Sequence, residues 1–170
     1  MSRRWLLAGL LALQLGAATA TDDEATAPWQ EQAVELPSAP RQEDLLPFVV
    51  SAATGNRFFV DARSLRVDGD GVVRYVLVVE TPGGARNVSF EGMRCETRER
   101  RIYASGRADG SWSPSRNRGW ERIREAVANR HHAALFTEYF CPIGVIARSR
   151  EEALSALRRG VHPLNERFGN

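Results

Sequence analysis

Three glycine turns divide the middle of this chain and limit what it can fold into. Asp68-Gly69-Asp70-Gly71, Pro82-Gly83-Gly84 and Asp109-Gly110 each separate runs rich in β-branched and aromatic residues. Turns of this chemistry suit the positive φ angles that hairpins need, so neighbouring runs should pair antiparallel. Asn56 to Val67, Val72 to Thr81, Asn87 to Thr97 and Arg100 to Ser105 are the expected strands, after a strand-like start at Phe48-Val49-Val50. In the second run Tyr75, Leu77 and Val79 share one face, and Arg74, Val76, Val78 and Glu80 the other. In the third run, strict alternation from Val88 and Phe90 would carry Arg94 to the buried side. A bulge near Gly92 is therefore expected, turning Phe90, Met93 and Cys95 inward together.

The C-terminal third changes period. Trp120, Ile123 and Val127 have helical spacing, and Leu135, Phe136, Tyr139 and Phe140 form an apolar stripe within an expected helix from about Arg130 to Phe140. Ser149-Arg150-Glu151-Glu152 is a capping box ahead of Ala153, Leu154 and Leu157, and Gly160 stops that helix. The fold class expected is α+β: an antiparallel β-meander packed by C-terminal helices, with one disulfide.

The ends supply the cellular context. Arg3 and Arg4, the apolar run Trp5 to Leu15, and Ala18-Thr19-Ala20 match a secretory signal peptide cleaved after Ala20. The apolar run is shorter than the roughly 20 residues of a membrane-spanning helix, and no transmembrane segment is expected in the mature chain. The expected organisation is a signal peptide at 1–20, an acidic extended leader at 21–46, one α+β domain at 47–160 and a tail at 161–170. Trp29 stands out in the leader as a residue that should dock onto the domain.

Cleavage removes Arg3 and Arg4, and 21 of the 23 basic residues then balance 21 acids. The pI of 8.8 therefore argues poorly for a nucleic-acid partner, and none is expected. No lysine occurs; every basic residue but histidine is arginine. Arginines gather between 94 and 130, and Arg94, Arg98, Arg100, Arg101, Arg107, Arg116 and Arg118 are candidates to bind an anionic envelope component or another envelope protein, since guanidinium forks suit carboxylate and phosphate. The alternative is an ordinary solvated basic face.

Cys95 and Cys141 are the two cysteines, and an oxidising compartment favours pairing them. His131 and His132 are adjacent, about 100° apart on a helix, whereas helical metal pairs use i and i+4; no metal or other cofactor is expected. The chain has no G-x-S-x-G elbow, no Walker loop and no G-x-G-x-x-G after a strand. The function expected is a non-enzymatic periplasmic binding or structural protein. The alternative is an envelope enzyme with His131 or His132 as general base, because imidazole titrates near neutrality.

Asn56-Arg57-Phe58-Phe59-Val60-Asp61, the run from Val88 to Arg98, and Asn129-Arg130-His131-His132-Ala133 with Tyr139-Phe140-Cys141-Pro142 resemble the cryptic neisserial protein family over about residues 28–142. The resemblance implies an exported envelope protein of a Gram-negative bacterium and adds no substrate. Family members thought to be lipoproteins would carry a cysteine where this chain has Thr21.

Overall fold

The computed structural model describes residues 28–51, 53–125 and 130–168. Residues 1–20, expected to be a signal peptide, lie outside them, as does Val127 of the expected helical run. The strands are β1 (Leu45–Phe48), β2 (Arg57–Asp61), β3 (Arg66–Val67), β4 (Val72–Glu80), β5 (Arg86–Arg94), β6 (Glu99–Gly106), β7 (Trp112–Pro114) and β8 (Glu121–Arg122). They form one antiparallel sheet in the order β1-β2-β4-β5-β6-β7, with β3 against the start of β4 and β8 against the start of β6. Helix α1 (Arg130–Ala134) runs into a π-helical segment, Leu135–Phe140, and α2 (Arg150–Arg159) and α3 (Pro163–Phe168) follow. The chain is α+β, as the turn spacing implied.

The expected strand from Asn56 to Val67 is interrupted after Asp61. There Asp61 accepts from the Ser64 amide at 3.0 Å, and the Ser64 hydroxyl donates to the Asp61 carbonyl at 3.0 Å. The first strand lies earlier than expected and ends at Phe48, leaving Val49 exposed. Glu121 and Arg122, expected on a helix with Trp120 and Ile123, instead pair with β6. The expected tail carries α3, and His162 at its start is buried. Half of the capping box forms: Ser149 Oγ accepts from the Glu152 amide at 3.2 Å, while the Glu152 carboxylate accepts from the Arg148 amide at 2.6 Å, one residue before the cap. Gly160 takes the left-handed conformation at φ 84°.

Both faces of the sheet are covered. On one, Val73, Tyr75, Leu77 and Met93 pack against Leu135, Phe136, Tyr139, Phe140, Leu154 and Leu157. On the other, Val76, Val78 and Phe90 form a smaller cluster under Val34, Tyr103 and Trp112. Residues 28–40 have no regular secondary structure and cross this second face as a strap. Trp29 Nε1 donates to the Asp70 carbonyl at 2.7 Å, the Gln32 amide donates to Asp70 Oδ2 at 2.9 Å, and Trp112 Nε1 donates to the Pro37 carbonyl at 2.7 Å.

This second cover corrects the expected bulge. Strand β5 pairs with β4 without interruption from Val72↔Arg94 to Glu80↔Arg86, so Phe90 and Met93 lie on opposite faces. The irregularity falls between β5 and β6, where Phe90 faces Ala104 and Glu91 faces Ile102, leaving Tyr103 as the extra residue of β6. Arg94 is spared burial in the helix-side core because it stands on the strap side. There its guanidinium lies 3.6 Å from the centre of the Trp29 ring.

Candidate functional site

Helix α1 crosses β5 on the helix-side face and separates the fates of its two histidines. His132 points inward and is 3% exposed; its Nε2 donates to Glu91 Oε2 at 2.7 Å. Glu91, 1% exposed, also accepts from Ser89 Oγ at 2.6 Å and from Tyr75 Oη at 3.3 Å. Burial alone would raise the Glu91 carboxyl, but the His132 ring, the Ser89 hydroxyl and the Arg100 charge outweigh it and bring it down to about 2. The buried carboxylate in turn holds the Tyr75 phenol above its usual range, after burial itself. Nδ1 of His132 is buried without a partner among the described residues.

His131 points the other way. Its ring stacks on Phe58 with centroids 5.4 Å apart and sits 4.0 Å from the His132 ring. It lines a cavity of about 440 Å³ with Val50, Asn56, Phe58, Val79 and Arg130, and among the described residues no carboxylate lines that cavity. Burial first, then the neighbouring His132 and Arg100, lowers the imidazole to about 4 against a partial counter-effect from Glu91.

This arrangement ties a helix to a sheet better than it performs acid–base chemistry. Glu91 stands between the Ser89 hydroxyl and the His132 ring, so the imidazole is not placed to take the serine proton as in a hydrolytic triad. The histidine that has a carboxylate is sealed in the core, and the one that lines a cavity has lost basicity. A general base working near neutrality needs a pKa near the operating pH, which His131 lacks.

Cys95, just past β5, and Cys141, just past the π-helical segment, form a disulfide with Cα atoms 5.4 Å apart. It ties the end of β5 to the end of the π-helical segment, while Glu91 and His132 join β5 to α1 ahead of that segment. The π-helical winding is marked by the Cys141 amide donating to the Phe136 carbonyl, five residues back, at 2.9 Å. Among the described residues, no group of three His, Cys, Asp or Glu side chains is placed to hold a metal ion. No helix among them is long and apolar enough to cross a membrane.

The model of the CNP1-like family, a family of uncharacterised proteins, matches residues 24–158. The chain belongs to that family. Searches of the curated proteins and of the solved structures give no match.

Within this CNP1-like chain, the candidate anion-binding arginines do not gather into one free face. Arg94 stacks on Trp29 and lies 3.6 Å from Glu96 and 3.8 Å from Glu99. Arg98 pairs with Glu125 at 2.9 Å, Arg100 with Glu121 at 3.0 Å, and Arg101 with Glu31 of the strap. Arg116 and Arg118 are exposed in the loop between β7 and β8. Arg107 stands apart from these, in the wall of a second cavity beside β7.

Two features escaped the sequence reading. Glu91 was unassigned, although strict alternation along β5 puts it on the helix side, where a lone carboxylate requires a partner. Arg74 was placed on the correct face without its role. It is 1% exposed and donates to Asp68 Oδ2 at 2.7 Å and Asp70 Oδ2 at 2.6 Å, so the first glycine turn supplies counterions as well as a bend.

Proposed function

We propose that this CNP1-like protein is a non-enzymatic binding or structural protein of the cell envelope, exported to the periplasm and cleaved after Ala20. Its partner would be an anionic envelope component or another envelope protein. One observation carries the non-enzymatic reading: the histidine with a carboxylate is sealed from solvent, while the cavity-lining His131 titrates at about 4. The opposite arrangement, a solvent-reachable histidine backed by Glu91, would have favoured a general base. The Cys95–Cys141 bridge supports an oxidising compartment. The three-part pattern of residues 1–20 supports export, and the likeness to the cryptic neisserial protein family supports a Gram-negative envelope.

Fractionation, N-terminal sequencing and crosslinking in intact cells test this together. The expected outcome is a periplasmic chain beginning at Thr21, crosslinked to a discrete partner, with the same adduct formed by His131→Ala. A cytoplasmic chain, or an adduct lost in His131→Ala, would count against the proposal.

A further inference from the structure

Strands β5, β6 and β7 and the end of the strap enclose a cavity of about 340 Å³ at the edge of the sheet. Trp112, Val88, Ala39 and Pro40 supply apolar walls, and Arg86 and Arg107 stand in the same lining, which contains no carboxylate among the described residues. The volume falls within the range of small-ligand sites.

The charge pattern is the telling part. Several other arginines of this sheet are matched by acids: Arg57 with Glu80, Arg74 with Asp68 and Asp70, Arg100 with Glu121, Arg101 with Glu31. Arg122 of β8 is exposed and lines no part of this cavity. Arg86 faces Glu80 across the β4–β5 hairpin, but that carboxylate bonds to Arg57. The nearest acid in sequence to Arg107 is Asp109, whose Oδ1 accepts from the Ser111 amide at 2.9 Å and the Ser111 hydroxyl at 2.7 Å. The Arg107 charge helps these bonds hold the Asp109 carboxyl below its usual range, without a direct ion pair. Among the described residues, neither Arg86 nor Arg107 makes an ion pair. Arg116 and Arg118, exposed like Arg86 and Arg107, do not line this cavity.

The walls are held in place before any ligand arrives. Trp112 is pinned by its hydrogen bond to the Pro37 carbonyl, and Arg107 Nη1 reaches the Ser111 hydroxyl and the Trp112 carbonyl, each at 3.4 Å. Gly106 keeps the floor low, because a Cβ there would come within 2.9 Å of the Val88 side chain. A Cβ on Gly110 would meet that of Ala39 at 3.5 Å, so the β6–β7 turn packs directly against the strap.

We propose that this cavity binds a small organic anion, a phosphate or carboxylate carried on an apolar body. Arg86 and Arg107 hold the anionic group, and Trp112 and Pro40 pack the body. The inference rests on the binding-protein reading above and gives it a site and a ligand class.

Titration of the purified mature protein tests it, followed through the Trp112 indole N–H resonance. The probes are phenyl phosphate and benzoate, which separate the two anion types, with phenol and inorganic phosphate as half-ligands. At least one aromatic anion should saturate with a Kd of about 1 mM or tighter, and the half-ligands about tenfold more weakly. Arg86→Gln and Arg107→Gln should each weaken binding about tenfold, and Arg116→Gln should leave it unchanged. Thermal unfolding of each variant separates lost binding from lost fold. Two aromatic anions that fail to saturate, or binding that survives in the double Arg86→Gln, Arg107→Gln variant, would overturn the site. Neither result touches the cellular crosslinking test, so the binding-protein reading could stand after this cavity falls.

Discussion

Replacing His131 with phenylalanine should flatten the acid side of the stability curve while barely changing stability near neutrality. The ring stacked on Phe58 is kept by the substitution, and only the titrating nitrogens are removed. In the folded chain His131 protonates at about 4 instead of 6.5, because it is buried and faces His132 and Arg100, with Glu91 acting in the opposite sense. A histidine depressed on folding binds its proton more readily in the unfolded chain. Its neutral form therefore stabilises fully above about pH 6.5, and that contribution is lost as pH falls toward about 4. Between about pH 7 and about pH 4.5 the loss amounts to about 2 kcal/mol. The Glu91 carboxyl contributes little to that interval, since its own window lies between 4.5 and about 2. Urea unfolding at the two pH values should show the wild-type midpoint falling by about 1 M more than that of His131→Phe. Equal pH dependence in the two proteins would refute the placement of His131 as a half-buried neutral ring.

Glu91→Gln should cost about 3 kcal/mol near neutrality by leaving His132 without its charged partner, and should remove the acid transition between 4.5 and about 2. The depressed carboxyl stabilises above the upper limit of that window and loses its effect as pH falls through it, so denaturant titrations on either side of the window check the sign. The mature protein should show no free thiol until denatured and reduced. With the cysteines 46 residues apart, the paired change Cys95→Ser, Cys141→Ser should cost about 4 kcal/mol in chemical denaturation. Trp29→Ala should cost about 2 kcal/mol by removing the stack under Arg94 and the bond to Asp70, with faster amide exchange along β5 and β6 as the local readout.

The strand order and the α2 boundaries were legible because they rest on local chemistry. Glycines at 71, 84 and 110 adopt positive φ, and the Ser149 cap and Gly160 stop are written within a few residues of the helix they bound. The β5 error had a non-local cause. A sheet with one buried face must avoid placing Arg94 inside, which calls for a bulge. A sheet covered twice has no such need, since Arg94 finds Trp29 some 65 residues upstream. Trp29 is the one anchor the acidic leader advertises in its sequence, yet Glu31 is another of its main attachments. It pairs with Arg101 and accepts from Tyr103 Oη at 2.7 Å. Tyr103, the extra residue of β6, also explains Gly92, where a Cβ would collide with the tyrosine hydroxyl.

The site was half legible for the same reason. Adjacency of His131 and His132 marked the place, and helical geometry implied that they diverge. What each would meet depended on residues far off in sequence: Glu91 for one, Phe58 and the β1–β2 loop for the other. The arginines followed a similar rule. Their clustering between 94 and 130 suggested a binding face, but proximity in sequence says nothing about which acids the fold brings opposite. Pairing with Glu31, Glu121 and Glu125 engages Arg101, Arg100 and Arg98. Arg86 lies outside that cluster altogether, and it shares a cavity with Arg107 only because β5 and β6 are neighbours in the sheet. An arginine's availability is set by the carboxylates near it in space, so a charge run locates basic residues without identifying those left free for a ligand.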